Sequence, residues 1–261
     1  MFFNLGERQM EPKDRIIVAL DVNTPANALI LVQLLNELVG GFKIGLEFIT
    51  AMMVQLITAE SEVEASFLLN KMRTLFSLLD GNLFWDGKFH DIPNTVSGAS
   101  RALAKLKAKM FTVHASTGIR AMRVAVAEKG DSLAIAVGVL TSYEKYDAYL
   151  TYGKPVEAAM LQFARYAVSA GFDGIITSPK ELLFLREYDD EFSGLLKIAT
   201  GIRPKNSSPD DQKRTLTATE ATAAGADFLV IGRPITAAAD PVEEARLFAH
   251  EIRDASIDIQ Y

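Results

Sequence analysis

The 261-residue chain contains no cysteine. Disulfides, thiolate metal sites and cysteine nucleophiles are thereby excluded together. Histidine is scarce: His90, His114 and His250 are scattered, and no metal-ligand spacing links them. No uninterrupted apolar stretch approaches the ~18 residues of a membrane span. The start, "MFFNLGERQM", lacks both a cationic segment and an apolar run long enough for a secretory signal, so a cytoplasmic protein is expected. Positive charge is not in excess, with 33 acidic against 27 basic residues. That balance argues against bulk binding to nucleic acid or an anionic membrane, and leaves a local anion site open. No Pro/Gly/Ser-rich linker or low-complexity tract divides the chain.

Hydrophobic residues make up 49% of the chain, enough for one sizeable core. Short β-rich runs recur: "RIIVALD" (15–21), "GGFKIGL" (40–46), "NLFWDGK" (82–88), "MFTVHA" (110–115), "SLAIAVGVL" (132–140), "FDGIITS" (172–178), "LLKIAT" (195–200) and "FLVIGRP" (228–234). Helix-start signals lie between them, in "TPAN" (24–27), "SPKE" (178–181) and "DPVEE" (240–244). Strands alternating with helices imply parallel β-α-β units. Eight such units predict an α/β fold of the (β/α)8 TIM-barrel type, one domain over residues 1–261, with chemistry at the C-terminal strand ends. An open doubly wound sheet is the competing fold, but no Gly-x-Gly-x-x-Gly follows the first strand. The second unit is enlarged by "AESEVEASFLLNKMRTLFSLLD" (59–80), which reads as an extra amphipathic helix packed on the outer layer.

Strand side chains alternate faces. In "LFWDGKFHDIPNT" (83–95), Asp86 and Lys88 therefore share one face, while Trp85, Gly87 and Phe89 share the other. Large apolar Trp85 and Phe89 belong against the helices, which sends Asp86 and Lys88 towards the barrel axis. By the same count Lys43 points inward, with Phe42, Ile44 and Leu46 on the helix side. Ile16, Val18 and Leu20 face outward, and Asp21 ends an inward row. Two aspartates and two lysines thus converge at the mouth, where burial requires pairing. A purely structural ion-pair network is the competing reading; four inward charges at the catalytic end favour a site. Asp91 lies beyond the strand, on a loop before the helix that Pro93 opens.

A second constellation lies near the C-terminus. "GIRPKNSSPDDQKR" (201–214) is a long polar loop after strand seven, and "IGRP" (231–234) ends strand eight. Barrels often hold a phosphate there, on backbone N–H groups and a helix N-terminus. Gly232 would let backbone approach an anion, and Arg233 offers a bidentate fork. His90 reads as a loop donor and His114 as a satisfied barrel residue. Ser142, ending strand five, could meet a polar ligand but has no evident His/Asp pair to make it a nucleophile.

The motif "DGKFHDIPNT" (86–95) resembles that of the orotidine 5′-monophosphate decarboxylase family. So do "ALD" (19–21), "FKIG" (42–45), "VHAS" (113–116), "VLTS" (139–142), "ATGIRP" (199–204) and "IGRPI" (231–235), in order along nearly the whole chain. Gly87 and the enlarged second unit depart from the pattern. The resemblance implies loss of CO₂ from orotidine 5′-monophosphate to give UMP, without metal or organic cofactor. It assigns Lys88 to the carbanion at C6 and to proton delivery, with Asp86 beside the departing carboxylate. Lys43 and Asp21 would bind ribose hydroxyls, and Ser142 the pyrimidine amide edge. Gln212 would close over substrate and touch the phosphate together with Arg233 and the Gly232 backbone. Asp91 and Thr95 would reach a partner's site, making the active unit a homodimer.

Two other readings stay open on the residues alone. One is a metal-dependent decarboxylase or aldolase acting on sugar phosphates on the same barrel; its metal-binding carboxylate would be expected on strand two, where this chain has Lys43. The other is a catalytically silent nucleotide-binding protein.

Overall fold

Eight runs of four to seven residues form the wall of a closed barrel in the computed structural model, which describes residues 10–204 and 216–258. The strands are β1 (Ile16–Ala19), β2 (Gly41–Gly45), β3 (Leu83–Phe89), β4 (Met110–His114), β5 (Leu133–Val137), β6 (Gly174–Thr177), β7 (Leu196–Ala199) and β8 (Phe228–Ile231). Each pairs in parallel with the next, and β1 pairs with β8 to close the ring. Between and after them run α1 (Pro25–Leu35), α2 (Leu46–Ile57), α3 (Glu62–Leu78), α4 (Pro93–Lys105), α5 (Ile119–Glu128) and α6 (Lys145–Tyr152). Then come α7 (Val156–Ala170), α8 (Pro179–Arg186), α9 (Asp189–Phe192), α10 (Ala218–Ala223), α11 (Arg233–Thr236) and α12 (Pro241–Asp258). Among the described residues no helix is long and apolar enough to cross a membrane.

Strand alternation divides the core into layers. Ile17, Ala19, Phe84, Met110, Ile135, Ile198, Phe228 and Val230 fill the barrel interior. Their sequence neighbours Ile16, Val18, Phe42, Ile44, Leu83, Leu229 and Ile231 pack with the helices on one side. Phe111, Val113, Ala134, Ala136 and Ile175 do so on the other. Helix starts follow the expected chemistry. Thr24 accepts the N–H of Asn27 ahead of Pro25, the Glu181 carboxylate accepts the Ser178 N–H at 2.7 Å, and the Asp240 carboxylate takes the N–H groups of Val242 and Glu243.

The extra stretch of the second unit is α3, capped by Ser61 and seated on α1 and α2 through buried Leu75. Several strands are shorter than their apolar runs. The fifth ends at Val137, and Val139 is buried against the helix side. There apolarity marks burial rather than pairing. The eighth ends at Ile231, so Gly232 and Arg233 stand at the start of α11 instead of inside the strand. Leu46, expected on the helix side, begins α2 and is exposed.

Candidate active site

β3 carries the centre of the site and is irregular where the charges stand. Phe84 pairs with Met110 and Trp85 with Phe111, but the next pairing is Phe89 with Val113. Four steps of β3 thus oppose two of β4, which is a bulge. Lys88 sits in it with φ 45°, a left-handed conformation that costs a non-glycine residue on the order of 1–2 kcal/mol. Its backbone N–H donates to the Thr112 hydroxyl on β4 at 2.8 Å. That hydroxyl in turn donates to Oδ1 of Asp86 at 2.9 Å. Gly87 faces the helix layer, where a Cβ would lie 2.7 Å from Nε1 of Trp85.

A continuous ion-pair chain crosses the mouth from β1 to β3. Nζ of Lys88 stands 2.7 Å from Oδ2 of Asp86, and Nζ of Lys43 stands 3.4 Å from the same oxygen. Lys43 also reaches Oδ1 of Asp21 at 3.3 Å. Gly45, at the end of β2, leaves space for that ammonium, since a Cβ there would be 3.2 Å from Nζ. Asp86 is buried, while half of the Asp21 side chain remains open. Burial pushes the Asp86 carboxyl up. The ammoniums of Lys43 and Lys88, with hydrogen bonds from Lys88 and Thr112, outweigh that and hold it below the usual aspartate value. The site therefore holds a buried anion between two cations, of which Lys88 is the more exposed.

His114 ends β4 beside this chain. Its Nδ1 accepts the Ser116 N–H at 3.3 Å and lies 2.7 Å from the Ser116 hydroxyl, so the ring proton belongs on Nε2. Burial, then the neighbouring His90 and Lys88, push its pKa down to about 4, which makes it neutral at physiological pH. His90 is exposed, with Nε2 3.4 Å from the Ser116 hydroxyl. Both histidines match the structural roles expected of them.

The remaining expected residues stand apart from the chain of charges. Asp91 is exposed; its carboxylate accepts the Ile92 N–H at 2.6 Å and makes no ion pair with its own barrel's Lys88. Its carbonyl accepts the Thr117 hydroxyl at 2.7 Å, tying the loop to the turn after β4. Thr95 lies in the first turn of α4 and is exposed. Ser142 follows β5 on the rim of a recess of about 290 Å³ bordered by Lys145, Glu157 and Lys180. Gly232 comes close to Asp21, where a Cβ would be 3.8 Å from Oδ2, and Arg233 follows it on α11. Gln212 lies outside the described residues. Among the described residues, the Arg203 N–H donates to the Leu216 carbonyl at 2.9 Å.

Thr112 is not among the sequence-predicted site residues. The signal existed: in "MFTVHA" the count that places Met110 inward also places Thr112 inward, level with Asp86. The bulge itself left no mark, because a lysine rather than a glycine takes the positive φ.

Comparison with known proteins agrees with this geometry. The family described as "Orotidine 5'-phosphate decarboxylase / HUMPS family" matches residues 14–248. An orotidine 5'-phosphate decarboxylase of Moorella thermoacetica is 42% identical over 256 residues, covering 94% of each chain. That of Heliobacterium modesticaldum is 36% identical and covers 94% of this chain and 98% of its own. A crystal structure of orotidine 5'-phosphate decarboxylase from Lactobacillus acidophilus superposes with a TM-score of 0.69 at 26% identity, covering 91% of this chain and 98% of the other. The chain belongs to the orotidine 5'-phosphate decarboxylase family.

Proposed function

We propose that this barrel removes CO₂ from orotidine 5′-monophosphate to give UMP, with the chemistry centred on Lys88. The observation that carries the reading is the buried Asp86 carboxylate held between Lys43 and Lys88, with Lys88 Nζ at 2.7 Å. Loss of CO₂ leaves a carbanion at C6 of the pyrimidine with little resonance delocalisation. An ammonium already oriented by a fixed anion stabilises that charge without reorganising, and then supplies the proton. Asp86 stands beside the departing carboxylate. At an effective dielectric near 20, like charges ~4 Å apart repel by roughly 4 kcal/mol. Preorganisation around Lys88 remains the main effect, because it acts on charge that develops only in the transition state.

Asp21 and Lys43 take the ribose hydroxyls, and Ser142 the pyrimidine amide edge. Arg233, the Gly232 backbone and Gln212 take the phosphate. Asp91 and Thr95 complete the site of a second copy, in a homodimer. Three features support that assignment: the Asp91 carboxylate is exposed, its loop is fixed by Thr117, and apolar Leu46 and Ile92 lie exposed after adjacent strands on the same rim. The chemistry is proposed to need no metal, since the strand-two position expected to hold a metal-binding carboxylate in sugar-phosphate relatives carries Lys43. The test is the loss of orotidine 5′-monophosphate absorbance on adding protein, with and without EDTA. Equal rates support the reading. Loss of activity on chelation would move it to metal chemistry, and no turnover would leave a binding protein.

A further inference from the structure

Thr112 is fully buried in the wall of the barrel. The strand that carries it is regular on its other side: β4 pairs with β5 without interruption from Met110–Leu133 to His114–Val137. Thr112 is thus a fixed post, and β3 bulges around it. A hydroxyl has one proton and two acceptor sites. Here it accepts the Lys88 N–H at 2.8 Å and gives its own proton to Asp86 at 2.9 Å. The second bond is stronger to an ionised carboxylate, the form that Lys43 and Lys88 favour. The first satisfies the amide of a residue held at φ 45°, so it offsets the cost of that conformation.

We infer that Thr112 is a positioning residue for the reaction: one hydroxyl clamps the β3 bulge that presents Lys88 and orients the Asp86 carboxylate against it. This rests on the assignment of Lys88 and Asp86 made above. Serine can form the same pair of bonds; valine has the shape of threonine without the hydroxyl. Thr112→Val leaves the Lys88 amide unpaired and frees Asp86 to rotate, so the ammonium loses its fixed place. A displacement near 1 Å at a reacting group lowers rate by up to about 100-fold.

The experiment compares wild type, T112V, T112S and T112C in steady-state turnover, with UMP affinity measured by titration calorimetry. T112V is expected to lower kcat by about 10- to 100-fold, leave UMP affinity within about threefold, and be rescued to within about threefold by T112S. T112C keeps a small side chain with a weakly bonding thiol; its kcat is expected to fall below that of T112S, which reads the same effect if T112V does not fold. A T112V or T112C kcat equal to wild type, or a T112S kcat as low as that of T112V, would overturn the inference, because the hydroxyl would then not be what matters at this position. Lys88→Ala serves as the control that separates the two levels. If it keeps turnover, the Lys88 assignment fails. If it is inactive while T112V is fully active, only the role of Thr112 fails.

Discussion

A carboxylate buried as deeply as Asp86 would ordinarily take up a proton; two ammoniums and a hydroxyl donor keep it charged. The same neighbourhood acts oppositely on His114, whose pKa near 4 reflects burial and adjacent positive charge. An unfolded chain protonates this histidine below about pH 6.5, whereas the folded protein resists until about pH 4. Between those limits the unfolded state binds more protons. Stability is therefore full above about pH 6.5 and falls as pH drops towards about 4, by on the order of 1–3 kcal/mol. Urea midpoints across that window should fall less steeply in His114→Gln than in wild type; parallel curves would place the pH sensitivity elsewhere. At the proposed phosphate site, Arg233→Ala should weaken UMP binding by at least about tenfold while leaving uridine affinity nearly unchanged. Equal losses for nucleotide and nucleoside would remove Arg233 from the phosphate site. Asp21, Lys43, Asp86 and Lys88 were legible because period two, applied to neighbouring strands, sends all four inward. Thr112 was not singled out, since a hydroxyl in an apolar strand carries no charge to draw notice.

At the scale of the element, β3 departs most from ideal geometry and repays testing most directly. Its outer face is complementary to a missing side chain: Trp85 and Phe89 converge over Gly87, where a Cβ would meet Trp85 at 2.7 Å and Phe89 at 3.1 Å. Gly87→Ala should destabilise by about 1–3 kcal/mol in denaturant unfolding. In a Trp85→Leu background the same change should cost much less, giving a clear coupling energy. An equal cost in both backgrounds would mean that backbone freedom, and not the tryptophan, is why glycine stands there. Strand existence and facing were readable from alternation, and helix starts from Thr24, Ser178 and Asp240. Strand ends were not, because Val139 and Gly232 extend apolar or motif patterns past the point where the chain leaves the sheet. The bulge was hidden for a related reason: only tertiary bonding makes a positive φ tolerable at a lysine.

For the whole molecule, closure of eight strands explains how charges from β1, β2 and β3 share one mouth. It does not explain Asp91, which turns onto its own loop in the single chain. A sequence and one barrel can place that carboxylate on the rim, but its proposed use by a second copy would be a property of an assembly. Asp86→Ala and Asp91→Ala proteins, each nearly inactive, should regain activity when mixed and allowed to exchange subunits, because one site per mixed dimer then contains both carboxylates. No recovery after exchange has been verified by mass would confine Asp91 to its own chain. The central claim, that the ammonium of Lys88 carries out the decarboxylation, is tested most directly by Lys88→Ala. Turnover of orotidine 5′-monophosphate and affinity for UMP should be measured on the same preparation. The account predicts a loss of turnover exceeding about 1,000-fold with UMP affinity little changed. Turnover within about tenfold of wild type would contradict it.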